Sequence, residues 1–156
     1  MGVRNCAELG ENLHKIVDRL LANNNLVNLL YYTDQNPLDM EKHPPLSEYD
    51  KKTQVFEKLI RMIPRVGTKE TENSVIVLYV QRAGKIPGNK EFKNIRITVD
   101  VVVPLTQWFI IDTNFRPFAI LGEIQKSLDD KTVNGLGKIS GGDFELNFVT
   151  DDVICY

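Results

Sequence analysis

The segment from Ile95 to Val103, IRITVDVVV, alternates in a period of two. Ile95, Ile97, Val99, Val101 and Val103 share one face of an extended chain, and Arg96, Thr98 and Asp100 share the other, because successive side chains of a strand point to opposite sides. A strand with one buried face and one at least partly wet face belongs to a sheet covered mainly on one side. The segment Ser74 to Val80 is equally rich in β-branched and aromatic residues and supplies a second strand. Between the two, Arg82 to Asn94 holds Gly84, Pro87 and Gly88 together with Lys85, Lys90 and Lys93. This reads as an extended hairpin tip, a projecting loop over 82–94.

The cover for that sheet comes from helical periodicity elsewhere. Leu9, Leu13, Ile16, Val17, Leu20 and Leu21 lay a continuous apolar stripe along a helix over residues 7–23. Asn5 is the expected N-cap, with Glu8 three residues later as in a capping box, and Asn23-Asn24-Asn25 supplies residues that tolerate the left-handed conformation at the helix end. The short apolar segment Leu26 to Tyr32 is expected to pack back on this helix. Asp112 or Thr113 is expected to cap a later helix with apolar positions Phe115, Phe118, Ile120, Leu121, Ile124 and Leu128, ending near Asp129-Asp130.

From Thr33 to Tyr49 the chain turns polar, with Asn36-Pro37 and His43-Pro44-Pro45, and no period survives. This gives a second projecting loop, 33–49. Ser47 to Asp50 resembles a capping box opening a helical segment through Val55, Phe56, Leu59 and Ile60, which Pro64 must end. Trp108-Phe109-Ile110-Ile111 reads as strand, Asn134-Gly135-Leu136-Gly137 as a turn, and 138–140, 144–150 and 152–156 as closing strands. The expected fold is α+β, a mainly antiparallel β-sheet flanked by α-helices. At 156 residues the chain suits a single domain, 1–156, since a domain of roughly 150 residues buries about two-thirds of the surface its unfolded chain exposes.

The same residues offer little to catalysis. His14 and His43 lie in unrelated contexts, and neither has a persuasive His or carboxylate partner at i+3 or i+4 or in a tight loop cluster, so both are assigned surface or packing roles. Ser47, Ser74, Ser127 and Ser140 lack a strand-to-helix elbow, and Ser140-Gly141-Gly142 reads as a turn between strands. Gly135-Leu136-Gly137-Lys138 matches neither phosphate-cradling glycine pattern. Asp129-Asp130 and Asp151-Asp152 are read as solvated pairs and not as metal ligands. Cys6 and Cys155 have no CxxC spacing and are expected to be free thiols. The expectation is no enzyme, with no catalytic residue, cofactor or metal. The four cations of the hairpin, Arg82, Lys85, Lys90 and Lys93, are able to touch phosphates, but Glu91 interrupts them and Phe92 is the only aromatic, which favours a solubilising hairpin.

A net charge of −2, from 19 Lys and Arg against 21 Asp and Glu, gives no global drive toward nucleic acid or an anionic membrane. The longest apolar runs fall far short of the roughly 20 residues of a membrane helix. The N-terminus has no apolar core of a signal peptide, and Cys6 stands where a myristoylation motif wants Ser or Thr. Synthesis in a cytoplasm and no membrane partner are therefore expected.

The pieces IRITVDVVV, a Trp-containing connection and DTNFRPFAILGEIQKSLDDKTVNGLGKI, with LVNLLYYTDQNPL and IRMIPRVGT upstream, together resemble small virion proteins of tailed bacteriophages. The layout of helix, sheet and second helix is similar to that of the tail-terminator and tail-completion proteins. That resemblance implies a homo-oligomeric ring, hexameric by analogy, at the neck of the virion. The ring would end the tail tube and join tail tube or sheath protein to the head–tail connector, with DNA passing through its lumen without sequence-specific binding. A head–tail adaptor or stopper of the same neck is the alternative within this class. Outside it stand a small hydrolase or nuclease without a recognisable motif, and an adaptor anchored by Tyr31, Tyr32, Phe92 and Trp108.

Overall fold

The alternating segment Ile95 to Val103 lies inside a 16-residue strand, Asn89–Pro104. The computed structural model describes residues 2–3, 8–62, 72–86, 88–111, 114–142, 147–150 and 153–155. In chain order a short strand β1 (Gly2–Val3) precedes helices α1 (Leu9–Leu21) and α2 (Asn24–Tyr31). Helix α3 is composite: a turn Glu48–Asp50, a π-helical stretch Lys51–Phe56 and a last turn Glu57–Leu59. Strands β2 (Ile60–Arg61), β3 (Val75–Ile86) and β4 (Asn89–Pro104) follow. A ribbon β5 (Phe109–Ile110) and β6 (Asn114–Phe115) leads into helix α4 (Arg116–Leu128). A second ribbon β7 (Thr132–Val133) and β8 (Gly137–Lys138) precedes β9 (Asn147–Thr150) and β10 (Val153–Cys155).

The main sheet runs in the order β2-β3-β4-β10-β9, and β1 also pairs with β4. All its pairs are antiparallel except β2 with β3. Strand β4 is long enough for β1 to pair at Lys93 and Asn94 while β10 pairs at Val102 to Pro104. Helices α1, α2 and α4 touch one another, and α4 touches β4. Ile16, Val17 and Leu20 of α1, Leu26, Val27, Leu29 and Leu30 of α2, and Ile120, Ile124 and Leu128 of α4 join Ile76, Leu78, Val101 and Val103 in one core. The fold is therefore α+β, a mostly antiparallel sheet with helices packed on it.

The expected alternation holds with one addition at the base of the hairpin. Ile76, Leu78 and Val101 are fully buried, as the period of two requires, and Arg96 is exposed. Val75, Val77 and Val102, on the other face, are buried as well, so the base is covered on both sides. Past Val80 the β3 side of the hairpin turns to solvent at Gln81, Arg82 and Ala83, while Ile95, opposite Ala83, stays in the core. The loop expected over 82–94 is instead antiparallel ladder: Arg82 faces Arg96, Gly84 faces Asn94 and Ile86 faces Asn89. A register shift between Lys85 and Ile86 precedes the turn at Gly88, where φ is 78°. Gly tolerates that left-handed backbone without the steric penalty of a Cβ, so the strands extend to the tip. A register shift between Val80 and Arg82 marks a β-bulge where the arm emerges.

Three expected caps are corrected by the structure. The first helix starts with Glu8 as N-cap, in a helical conformation and without a side-chain cap; Asn5 lies outside the described residues. Asn23 does not adopt a left-handed C-cap. It is extended, with φ of −87°, and its Oδ1 accepts from Leu26 N at 3.2 Å, so it opens α2. The last helix starts with Phe115 as N-cap and Pro117 in its first turn, while Asp112 and Thr113 lie outside the described residues. The start at Arg116 takes Phe115 out of the helical stripe, and Phe118 stays 44% exposed, two residues out of phase with buried Ile120 and Ile124. The Ser47 box forms as expected, Ser47 Oγ accepting from Asp50 N at 3.1 Å. Its helix ends at Leu59, before Pro64, which lies outside the described residues.

The loop from Thr33 is fastened to the body and does not hang free at its start. Ile111 N donates to Gln35 O at 2.7 Å, and buried Asn28 donates through Nδ2 to His43 O at 3.0 Å. At the far end of the chain the Asn134 to Gly137 turn forms, with φ of 87° at Gly135 and 83° at Gly137. Asn12 Nδ2 donates to Gly135 O at 3.3 Å, and a Cβ at Gly135 would collide with Asn12 Oδ1. Lys15 Nζ donates to Asn134 O at 3.1 Å, so this turn is locked to α1.

Candidate interaction surface

The residues weighed for chemistry are dispersed into structural tasks. Ser74 Oγ is buried and donates to Gln107 Oε1 at 3.1 Å, Ser127 Oγ donates to Glu123 O at 2.8 Å, and Ser140 is exposed. Asp129 Oδ1 accepts from Gly141 N at 2.7 Å. Asp130 pairs with Lys138 at 2.7 Å, and that hydrogen bond holds its carboxyl below the ordinary range. Asp151, Asp152 and Cys6 lie outside the described residues. His14 is exposed, its ring edge-on to Phe56 at 5.7 Å. His43 departs from expectation in having a carboxylate partner: Nε2 lies 2.7 Å from Asp34 Oδ2, and its ring lies 4.0 Å from that of Tyr32. The partner is nine residues away across a folded loop, which no spacing rule reveals. Among the described residues no group of three or more His, Cys, Asp or Glu converges as a metal site.

What the structure does assemble is a framework around Arg116. Its side chain is fully buried. Nε donates to Gln107 O at 2.9 Å, one terminal nitrogen to Leu29 O at 2.8 Å and Tyr32 O at 2.6 Å, and the other to Asp34 O. Every acceptor is a main-chain carbonyl, and two come from the end of α2, where carbonyls have no helical partner and a cation is favoured. Burial lowers the guanidinium pKa to about 10, with the Asp34 charge acting in the opposite direction. The group therefore remains charged at neutral pH.

This framework fixes the β5–β6 ribbon, since Arg116 N also donates to Trp108 O at 2.9 Å. On the ribbon's outer side the rings form a continuous ridge. Phe109 lies 5.5 Å from Phe115, and Phe115 lies 6.0 Å edge-on from Phe118 and 6.2 Å from Trp108. Phe109 is 60% and Phe118 44% exposed, and Leu105 and Ile111 are also exposed. Beside the ridge an open groove of about 360 Å³ is lined by Gln35, Pro37, Leu38, Ile110, Ile111 and Asn114. Of the four aromatics considered as anchors, Tyr31, Tyr32 and Trp108 are half-buried, and the side chain of Phe92 lies outside what is described. The exposed anchors are instead Phe109 and Phe118. The signal for Phe118 was its phase, shared with Gly122 and Gln125 and not with the Ile120–Ile124–Leu128 stripe.

Fold and ridge together define a small α+β protein whose buried arginine framework holds out an aromatic surface. The chain belongs to the YomW family, whose model matches residues 23–152. That span begins at the cap of α2 and contains the arginine framework, the hairpin and the ridge. No curated protein matches the chain, and no solved structure does.

Proposed function

We propose that this protein is a structural subunit of a tailed-phage neck, of the tail-terminator or tail-completion type. Copies of it form a closed ring that ends the tail tube and meets the head-side connector. The observation that carries the assembly role is the ridge of Phe109, Phe115 and Phe118, in which Phe115 touches both other rings and Phe109 and Phe118 are strongly exposed. Contiguous exposed aromatics are characteristic of surfaces that another protein covers, since such rings supply much of the apolar area and many of the anchors of interfaces. The neck assignment adds the sequence resemblance, and the order of helices, long hairpin, helix and closing strands supports it. A closed ring repeats one heterologous contact and needs no self-complementary patch. A near-neutral chain also suits a lumen through which DNA slides.

The test is light scattering and negative-stain imaging of the purified protein at micromolar concentration, alone and with tail tubes. Rings that cap tube ends are expected. A monomer that ignores tubes overturns the proposal, and an oligomer that binds the connector but not the tube reassigns it as an adaptor or stopper of the same neck.

A further inference from the structure

The hairpin arm carries an unresolved electrostatic conflict. Arg82 and Arg96 are both exposed and stand directly opposite each other in the β3–β4 ladder. Like charges in that position are destabilising within a sheet. Among the described residues no carboxylate lies within 4.0 Å of either guanidinium. In sequence the arm from Gln81 to Arg96 holds five cations, Arg82, Lys85, Lys90, Lys93 and Arg96, against Glu91, a formal charge of +4. The whole chain is −2, so the compensating charge is concentrated elsewhere.

Among the stretches that the structure describes throughout, the most acidic is the segment 34–51. Asp34, Asp39, Glu41, Glu48 and Asp50 stand there against Lys42 and Lys51, five acids and two bases, a formal charge of −3. Asp34, Glu41 and Glu48 are exposed. This segment sits at the base of the hairpin. Asp34 O is held by Arg116, which also holds Gln107, and Gln107 accepts from Ser74 beside the first residue of β3. His43 folds the loop back onto Asp34 and Asn28, and α3 leads into β2, which pairs with β3 at Ile76 and Val77. Arg82 is seven residues beyond Val75, about 23 Å along an extended strand.

We propose that the arm bearing Arg82 and Arg96 docks on the acidic segment Asp34–Asp50 of a second copy of this chain. The contact is heterologous, arm to loop, so each copy gives one and receives one, and repetition closes a ring. This inference rests on the self-assembly reading above. It adds the surfaces that choose the neighbour: the arginines gain carboxylates that they lack among the described residues, and identical arms repel.

Charge reversal in the full-length protein tests it. Arg82→Glu with Arg96→Glu is expected to raise the concentration at midpoint of assembly by about tenfold or more, the effect of losing charge pairs at an interface. Glu41→Lys with Glu48→Lys is expected to do the same, with Glu41→Lys alone replacing the pair if circular dichroism shows a loss of fold. Mixing the two reversed proteins restores oligomers in which the variants alternate, since each arm then meets a loop of opposite sign. Rings that survive arm reversal overturn the docking while leaving the assembly reading standing. The same holds if the mixture fails to reassemble, or if arm reversal abolishes only retention on duplex DNA, which would assign the arm to phosphate. A wild-type protein that is itself monomeric overturns both.

Discussion

The guanidinium of Arg116 donates to the main-chain oxygen of Leu29 at 2.8 Å, joining residues 87 positions apart. With Tyr32 O, Asp34 O and Gln107 O it closes the end of α2, the start of the acidic loop and the connection after β4 onto one planar fork. Lysine keeps the charge but not the fork, and cannot donate in these separate directions at once. Arg116→Lys is therefore expected to cost about 3 kcal/mol or more, the usual scale for leaving buried polar groups and charge uncompensated. Urea denaturation followed by circular dichroism measures it, and a variant as stable as wild type would show that the fork is dispensable.

A second joint couples α2 to α4. Asn23 caps Leu26 N with Oδ1 and donates through Nδ2 to Glu123 Oε2 at 2.9 Å. Burial pushes the Glu123 carboxyl up, but the hydrogen bonds from Lys126 and Asn23 and the Lys126 charge outweigh it and hold the carboxyl below its usual 4.5. A depressed folded-state pKa means that the stabilisation is complete above the unfolded value and is lost as pH falls through the folded one. Glu123→Gln is expected to be less stable than wild type near neutrality, with the gap closing as the solution is acidified below the carboxylate range. Urea midpoints across that range check the sign; a gap that widens in acid contradicts it.

Asn23→Ala removes the cap as well as the bond to Glu123. The cap is worth about 1 kcal/mol, so this variant is expected to lose more stability at neutral pH than Glu123→Gln and to show a shallower acid transition than wild type. Equal losses for the two variants would mean that the cap contributes nothing.

The two joints explain what was legible in the sequence and what was not. The strands at Val75 and Ile95, the stripe of α1 and the box at Ser47 are local patterns, in which each residue's neighbours along the chain determine its face. Asn23 was read as a helix end because a run of Asn fits a left-handed C-cap. Its real partner, Glu123, is 100 residues away. Arg116 carried no signal at all, since a lone arginine at a helix start is ordinarily a surface residue and its acceptors are carbonyls that any sequence possesses. The ridge is hidden in the same way: the sequence places Phe115 and Phe118 among the apolar positions of one helix, and only the start of α4 at Arg116 sets their phase.

The wet face of β4 makes a prediction of opposite sign. Asp100 is half-buried, and desolvation raises its carboxyl pKa above the ordinary 3.8, against a hydrogen bond from Tyr79 that lowers it. A raised carboxylate pKa is a penalty on the folded state that is absent below the unfolded value and grows as pH rises through the folded one. Asp100→Asn keeps an acceptor for Tyr79 and removes the charge. It is expected to melt above wild type at neutral pH, with the difference shrinking in acid, whereas Tyr79→Phe is expected to melt below wild type. Calorimetry at neutral and acidic pH reads both, and an Asn variant that is less stable at neutrality refutes the desolvation account.

The ridge separates folding from assembly. Phe109 and Phe118 face outward at 60% and 44% exposure, and substitutions at exposed positions away from special features usually change stability by about 0.5 kcal/mol or less. Phe109→Ser with Phe118→Ser is expected to leave the urea midpoint close to wild type while weakening association with a copy or a tail partner by about tenfold or more, since aromatic anchors dominate interface energies. Ile120→Ala is the contrasting control: Ile120 is fully buried in the core, and its truncation is expected to cost about 2–5 kcal/mol. Stability and assembly should fall together there, because the ribbon that presents the ridge is braced by α4. If the Phe pair instead unfolds the protein, the ridge belongs to the core of this chain; if it changes neither property, the rings are bystanders and the assembly reading loses the observation that carries it.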